Sequence, residues 1–226
     1  MAELAAEQVT FGYDGAPLLR DISLTLRQGE LTVCLGGNGS GKTTLLRLMS
    51  GLLTPAGGHV VVRGMENALP RQQTGMLFQN PDHQMLAGNV EEEIALGLEL
   101  RGTPPAQIRE TVEALLSRFQ ITSLRHHPPQ ALSGGQKQRV ALAAIMAAKP
   151  RFLLLDEPDS FLDAPSRREL MSAVDEVRAE CGILWMTPSP KRMPAADRHC
   201  LLRTGMLREC SREELHSVAD AECVPR

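Results

Sequence analysis

The 226-residue chain lacks an excess of basic charge: 24 Lys and Arg stand against 27 Asp and Glu, for a net charge of −3. No basic footprint therefore argues for nucleic acid. Aromatic residues make up 3% of the sequence, too few for a base-stacking platform. The five cysteines (Cys34, Cys181, Cys200, Cys210, Cys223) are odd in number and none forms a C-x-x-C pair. Neither a zinc site nor a disulfide framework is indicated, and a reducing cytosol is the plain inference. Cys34 lies inside an apolar run, where it is expected to act as a small buried hydrophobe. No apolar run approaches the roughly 18 residues needed to span a bilayer. Met1-Ala2-Glu3-Leu4 has no basic start followed by an apolar stretch, so no signal peptide is expected. There is no internal repeat and no low-complexity segment.

What is present is an ordinary globular composition, 42% hydrophobic and 23% charged, in a chain long enough for one large domain or two small ones. Apolar and polar residues alternate over 8–12 and 22–26, which predicts half-buried strands. Residues 31–35 and 60–62 read as short strands, with a helix over 44–50 after the first. A helix is predicted over 90–100, with Asn89 as its N-cap and Glu91, Glu92 and Glu93 as a solvated acidic first turn that suits the helix dipole. Thr103 is expected to cap a helix beginning Pro104-Pro105, with Ile108, Val112, Leu115, Leu116 and Phe119 as its packing stripe. His126-His127-Pro128-Pro129 reads as a loop rather than a metal site. A helix through Val140 and Ile145 follows, then strand over 152–155, helix over 166–179, and strands over 183–186 and 201–202. The pattern is an α/β core, about residues 1–80 and 149–205, interrupted by a mostly helical insert at about 81–148, all in one domain over 1–215 with a tail at 216–226.

Three stretches carry the chemistry. Gly36-Gly37-Asn38-Gly39-Ser40-Gly41-Lys42-Thr43, followed by Thr44, fits G-x-x-x-x-G-K-S/T. Its glycines let backbone N–H groups close around phosphate oxygens, and the next helix adds its positive end. Lys42 is expected to reach the β- and γ-phosphates and the Thr43 hydroxyl to ligate Mg²⁺. Phe152-Leu153-Leu154-Leu155-Asp156-Glu157 is an apolar strand ending in two acids. Ligands of open α/β sheets bind beyond the carboxyl ends of strands. Asp156 is thus placed to hold Mg²⁺ and Glu157 to orient or deprotonate an attacking water. Leu132-Ser133-Gly134-Gly135-Gln136 opens a helix. It reads either as a second phosphate-contacting element or as a capped helix start.

Together these stretches resemble the ATP-binding cassette (ABC) ATPases, over about residues 3–215. The resemblance implies a P-loop NTPase core of the RecA-like kind, with a helical subdomain insert and an N-terminal antiparallel β region. It also implies that Tyr13 stacks on adenine, and that Gln79 links the nucleotide site to the insert as a catalytic and metal-facing residue. Ser160-Phe161-Leu162-Asp163 matches the family's D-loop, and Ser133, Gly134, Gly135 and Gln136 match the signature that contacts ATP held by another subunit. Two such subunits, identical or different, are expected head to tail around ATP and Mg²⁺. A narrower likeness lies in Phe78-Gln79-Asn80-Pro81-Asp82-His83-Gln84 and in the run from Asn89 to Gly97. It is similar to ATPases of energy-coupling-factor vitamin importers and of cobalt and nickel importers. That implies a transmembrane partner and a peripheral place on the cytoplasmic face of the membrane. The surface around Met85, Leu86 and Ala87 is either its docking site or internal packing.

One position departs from the family. The strand over 183–186 is followed by Thr187-Pro188 where the family usually has Thr-His. Proline has no imidazole to contact the γ-phosphate, and Pro190 and Pro194 stiffen the loop further. Hydrolysis at the site built on this chain's own loop is therefore expected to be slow. Two other readings stay open: a non-catalytic regulatory ABC partner, and a soluble ABC ATPase not tied to transport.

Overall fold

The structure is a computed structural model and describes residues 2–215; Cys223 and the tail expected at 216–226 lie outside the described residues. In chain order the elements are β1 (Glu3–Tyr13), β2 (Ala16–Arg27), β3 (Leu31–Leu35), α1 (Lys42–Met49), β4 (Gly57–Arg63), α2 (Pro70–Gln73), β5 (Thr74–Leu77), α3 (Val90–Glu99), α4 (Pro105–Arg118), α5 (Gly134–Ala147), β6 (Phe152–Asp156), α6 (Ala164–Val177), β7 (Gly182–Thr187), β8 (Arg198–Arg203) and β9 (Met206–Glu209). The chain divides into two compact units. One holds the residues up to Met76, Arg151–Glu157 and the chain from Arg178; the other holds Leu77–Pro150 and Pro158–Val177.

The first unit contains two sheets. An antiparallel sheet runs β2-β1-β4, and a six-stranded sheet runs β5-β6-β7-β3-β8-β9. In the latter, β3 pairs in parallel with both β7 and β8, β6 pairs in parallel with β7, and β9 is antiparallel to β8. Every residue of β3, β6 and β7 is buried. Continuous apolar runs are what a parallel sheet covered on both faces demands. Alternate side chains Cys34, Phe152, Leu154, Leu184, Met186 and Leu202 enter a core shared with Leu4, Leu19 and Ile22 of the antiparallel sheet and Leu45, Leu46 and Met49 of α1. At about 1.5–3 kcal/mol for each fully buried Leu, Ile or Phe, this layer dominates the favourable side of folding. Cys34 belongs to it as expected. Burial pushes its thiol well above the ordinary value and the neighbouring Cys200 thiol up to about 12, so both stay protonated and inert.

The first two strands are longer than the alternation predicts. Their register shifts between Ala6 and Val9, beside Gln8 and Asp21, which both adopt positive φ. These bulges break the period-two pattern inside continuous strands. The alternation does not predict β5 or β9 at all. Both are four-residue edge strands, held by their pairing rather than by their own periodicity.

Asp197 anchors the start of β3. Its carboxylate accepts the Leu31 N–H at 2.7 Å and pairs with Arg178. Burial opposes ionisation, but these two contacts outweigh it and hold the carboxyl below the usual range. The stabilisation is therefore fully present above the unfolded value, about 3.9, and is lost as pH falls through the folded value. Asp197→Ala is expected to cost about 1 kcal/mol at pH 7, the value of a charge-assisted bond discounted for exposure. That is a fall of roughly 2–4 °C in Tm for a chain of this size. Thermal melts should show the gap closing as pH falls below the unfolded value and through the lower folded one. A pH-independent gap would exclude the ionised carboxylate as its source.

The second unit is built from α3, α4, α5 and α6. Val90, Ile94 and Leu98 of α3, Val112, Leu115 and Leu116 of α4 and Leu170, Val174 and Val177 of α6 are buried. Asn89 caps α3 as expected, accepting the Glu92 N–H at 2.9 Å. The acidic first turn is not uniformly solvated. Glu93 is 7% exposed, and its Oε2 accepts the N–H groups of Leu86 and Ala87 at 2.8 Å each. This carboxylate holds the preceding loop with Leu86 80% exposed at its surface. Thr103 does not cap α4; Pro104 takes that position and the helix starts at Pro105. A cap at Thr103 would put Pro105 second in the helix, where it has no N–H to give. The segment over 126–128 is a loop and Pro129 opens a short 3₁₀ turn, and an acid lies beside it. His126 lies 3.7 Å from Glu91, and the carbonyls of Arg125 and His127 accept the Glu91 and Val90 N–H groups at the start of α3. Among the described residues no group of three His, Cys, Asp or Glu side chains could hold a metal.

Candidate functional site: a phosphate loop at the strand ends

The loop over 36–43 leaves the carboxyl end of β3, where Leu35 stands opposite Thr187 of β7. The ladder continues one step further, because the Gly36 N–H reaches the Thr187 carbonyl at 3.1 Å. Gly37, Asn38 and Gly39 are exposed. Gly41 forms the N-cap of α1 at φ 99°, and a Cβ there would lie 2.8 Å from Leu19 Cδ2. Both the backbone conformation and the close approach require glycine. The turn closes with the Ser40 N–H on the Gly37 carbonyl at 3.2 Å.

Lys42 follows in the first turn of α1 and is 5% exposed. Its Nζ donates to the Gly36 carbonyl at 2.7 Å and the Gly37 carbonyl at 2.9 Å, and lies 3.1 Å from Glu157 Oε1. An ammonium has three donors, so these contacts account for all of them. Thr43 donates its hydroxyl to Asp156 Oδ2 at 2.6 Å, across 113 residues of sequence. Asp156 ends β6 opposite Met186 of β7, and the Glu157 N–H continues that pairing to the Met186 carbonyl at 3.1 Å. Burial raises the Asp156 carboxyl above the ordinary range and Glu157 adds to the shift, while the Thr43 hydroxyl and Lys42 pull against it. Glu157 sits at φ 47°, a left-handed conformation rare for a non-glycine residue and often found at functional sites. A hydroxyl touching a partly desolvated carboxylate is the kind of oxygen pair that suits Mg²⁺.

Tyr13, at the turn joining β1 to β2, is 47% exposed. Its ring meets Phe11 edge-on with centroids 5.0 Å apart, and its hydroxyl is 3.4 Å from Thr44 Oγ1. Pro188 is half-buried directly after β7, where the Thr187 hydroxyl accepts the Ser189 N–H at 3.2 Å.

The remaining expected residues lie in the second unit. Ser133 and Gln136 form a reciprocal capping box at the start of α5: Ser133 Oγ accepts the Gln136 N–H at 3.3 Å and Gln136 Oε1 accepts the Ser133 N–H at 2.8 Å. Gly135 is demanded by packing, since a Cβ there would lie 2.5 Å from Ser166 Cβ. Asp163 Oδ1 accepts the Ser166 N–H at 2.9 Å, and hydrogen bonds from Ser166 lower its carboxyl pKa. The Gln79 carbonyl accepts Gln138 Nε2 at 3.4 Å. Sequence reasoning missed Glu93 and Gln138, although a signal existed. Glu93 falls beside the buried stripe of Val90, Ile94 and Leu98, and Gln138 shares a helical face with Leu142 and Met146.

A phosphate loop between a fully buried parallel strand and a helix, with a strand-end acid bound to its threonine, defines a P-loop NTPase. The chain matches the ABC transporter family over residues 19–160 and belongs to it, as an ATPase with the mixed α/β fold of that family. Its relatives narrow the branch. It is 39% identical over 221 residues to the energy-coupling factor transporter ATP-binding protein EcfA of Syntrophomonas wolfei, covering 93% of this chain and 81% of that protein. It is 37% identical over 224 residues to EcfA1 of Enterococcus faecalis, covering 94% and 80%. The structure of cbiO1 from Clostridium perfringens, described as part of the ABC transporter complex cbiONQ, superposes with a TM-score of 0.82 at 30% identity, covering 96% of this chain and 92% of that one. Among the described residues no helix is long and apolar enough to cross a membrane.

Proposed function

We propose that this chain is the ATP-hydrolysing subunit of a membrane importer of the energy-coupling-factor type, bound to the cytoplasmic face of the membrane and energising uptake of a vitamin or a transition-metal ion. The observation that carries this reading is the meeting of Lys42, Thr43, Asp156 and Glu157 at the ends of β3 and β6. The names of the relatives support the transport role. In this reading the backbone of 36–41 and Lys42 bind the ATP phosphates, and Tyr13 stacks on the adenine. Thr43, Asp156 and Gln79 would hold Mg²⁺, which would neutralise phosphate charge. Glu157 and Gln79 orient the attacking water. Two subunits, identical or different, pair head to tail, so that Ser133–Gln136 and Asp163 serve ATP bound by the other subunit. The loop of Met85, Leu86 and Ala87, held by Glu93, faces the transmembrane partner.

Pro188 makes hydrolysis slow at the site on this chain's own loop, because it offers no imidazole to the γ-phosphate. The same residue favours a second reading, a non-catalytic ABC partner that completes another subunit's site. Affinity purification from cells separates these readings from a soluble role. A transport subunit co-purifies with a transmembrane protein, and a regulatory subunit hydrolyses ATP only after mixing with a second cassette. Recovery without any membrane protein would count against transport.

A further inference from the structure

The segment holding Gln79 is tied to the start of α5 at two places within the second unit. Gln138 is 2% exposed, and its Nε2 donates to the Gln79 carbonyl at 3.4 Å. One residue earlier, Lys137 Nζ lies 2.6 Å from Asp82 Oδ1. The segment around these ties is closed on itself: Gln84 Oε1 accepts the Phe78 N–H at 3.2 Å and Asn80 Oδ1 accepts the Asp82 N–H at 3.0 Å. Lys137 and Gln138 come directly after Gln136, which completes the capping box. Packing alone does not explain Gln138. Its Oε1 is buried without a hydrogen-bond partner, a cost that a methionine of similar length would avoid. What the amide alone supplies is a donor to the Gln79 backbone.

We propose that Gln138 is a positioning residue for hydrolysis: through the Gln79 carbonyl it locks the 78–84 segment to the 133–136 segment, so that the two move as one body. The proposal rests on the roles given above to Gln79 and Ser133–Gln136. It makes the turn that serves another subunit's ATP mechanically continuous with the glutamine that serves this chain's own.

The test compares the full chain with Gln138→Met and Gln138→Leu, two apolar replacements of comparable size that lack the donor. Amide hydrogen exchange across 78–84 is expected to quicken at least about tenfold in both variants, while 36–44 exchanges as in the wild type. The kcat for ATP is expected to fall about tenfold, the factor one lost hydrogen bond carries, with KM and Tm near wild type. A general structural defect would instead lower Tm and disturb exchange in both regions, and that result overturns the proposal. Unchanged exchange across 78–84 overturns it too, as does quickened exchange with unchanged kcat. Gln79→Ala is the reference: if it hydrolyses ATP like the wild type, the role given to Gln79 fails, whatever Gln138 does to exchange.

Discussion

Lys42→Met is expected to lower kcat/KM for ATP by about 10³ or more. The ammonium makes charge-assisted contacts that a phosphate must share or replace, and one such contact is worth roughly 1.5–3 kcal/mol, or about 10–150-fold in affinity. Loss of a preorganised contact to charge developing in the transition state removes about another 10²–10³ in rate. The two losses should separate experimentally, with the first in equilibrium binding of Mg²⁺-free ATP and the second in single-turnover hydrolysis. The substitution also leaves Glu157, 12% exposed, without the cation 3.1 Å away. Breaking a buried pair from one side costs about 3 kcal/mol at the lower end of its range, so Tm should fall as well. ATP affinity is therefore read at a temperature where the variant is folded. Wild-type affinity in the folded variant would remove Lys42 from the phosphate site.

Pro188→His is expected to raise ATP turnover by about 10²-fold, the lower end of what one transition-state donor supplies, with ATP affinity unchanged. The position is suited to the exchange. Pro188 is half-buried at the end of β7, one residue beyond the Thr187 carbonyl that receives the Gly36 N–H. A histidine there gains its backbone N–H and leaves the Thr187–Ser189 hydrogen bond available. Releasing the proline constraint costs at most about 1 kcal/mol through the unfolded chain. Purified protein and variant compared under saturating Mg²⁺–ATP give the answer, and equal rates would show that Pro188 is not what limits hydrolysis.

How much of this was legible in the sequence follows from the range of the interactions. The strand over 31–35 is recovered residue for residue, because a run buried on both faces is apolar at every step but Thr32. Asn89 as a cap was legible because capping is settled within four residues. Thr103 failed on the same local scale, since the proline pair moved the helix start by one residue. β5 and β9 were not legible, because an edge strand of four residues exists through its neighbour. Glu93 reads as solvated in the sequence because an acid in a first helical turn ordinarily is; the backbone of Leu86 and Ala87 folding over it makes it a buried anchor.

The sequence by itself determined that a phosphate loop would sit between a strand and a helix, and that a strand would end in Asp156 and Glu157, because glycine conformations, helix starts and apolar runs are local physics. Only the tertiary structure decided that β3 and β6 flank β7 in one sheet, so that Thr43 meets Asp156 at 2.6 Å and Lys42 meets Glu157 at 3.1 Å across more than a hundred residues. Order along a chain does not specify which strands pair; the shared apolar core selects that pairing and brings the four side chains together.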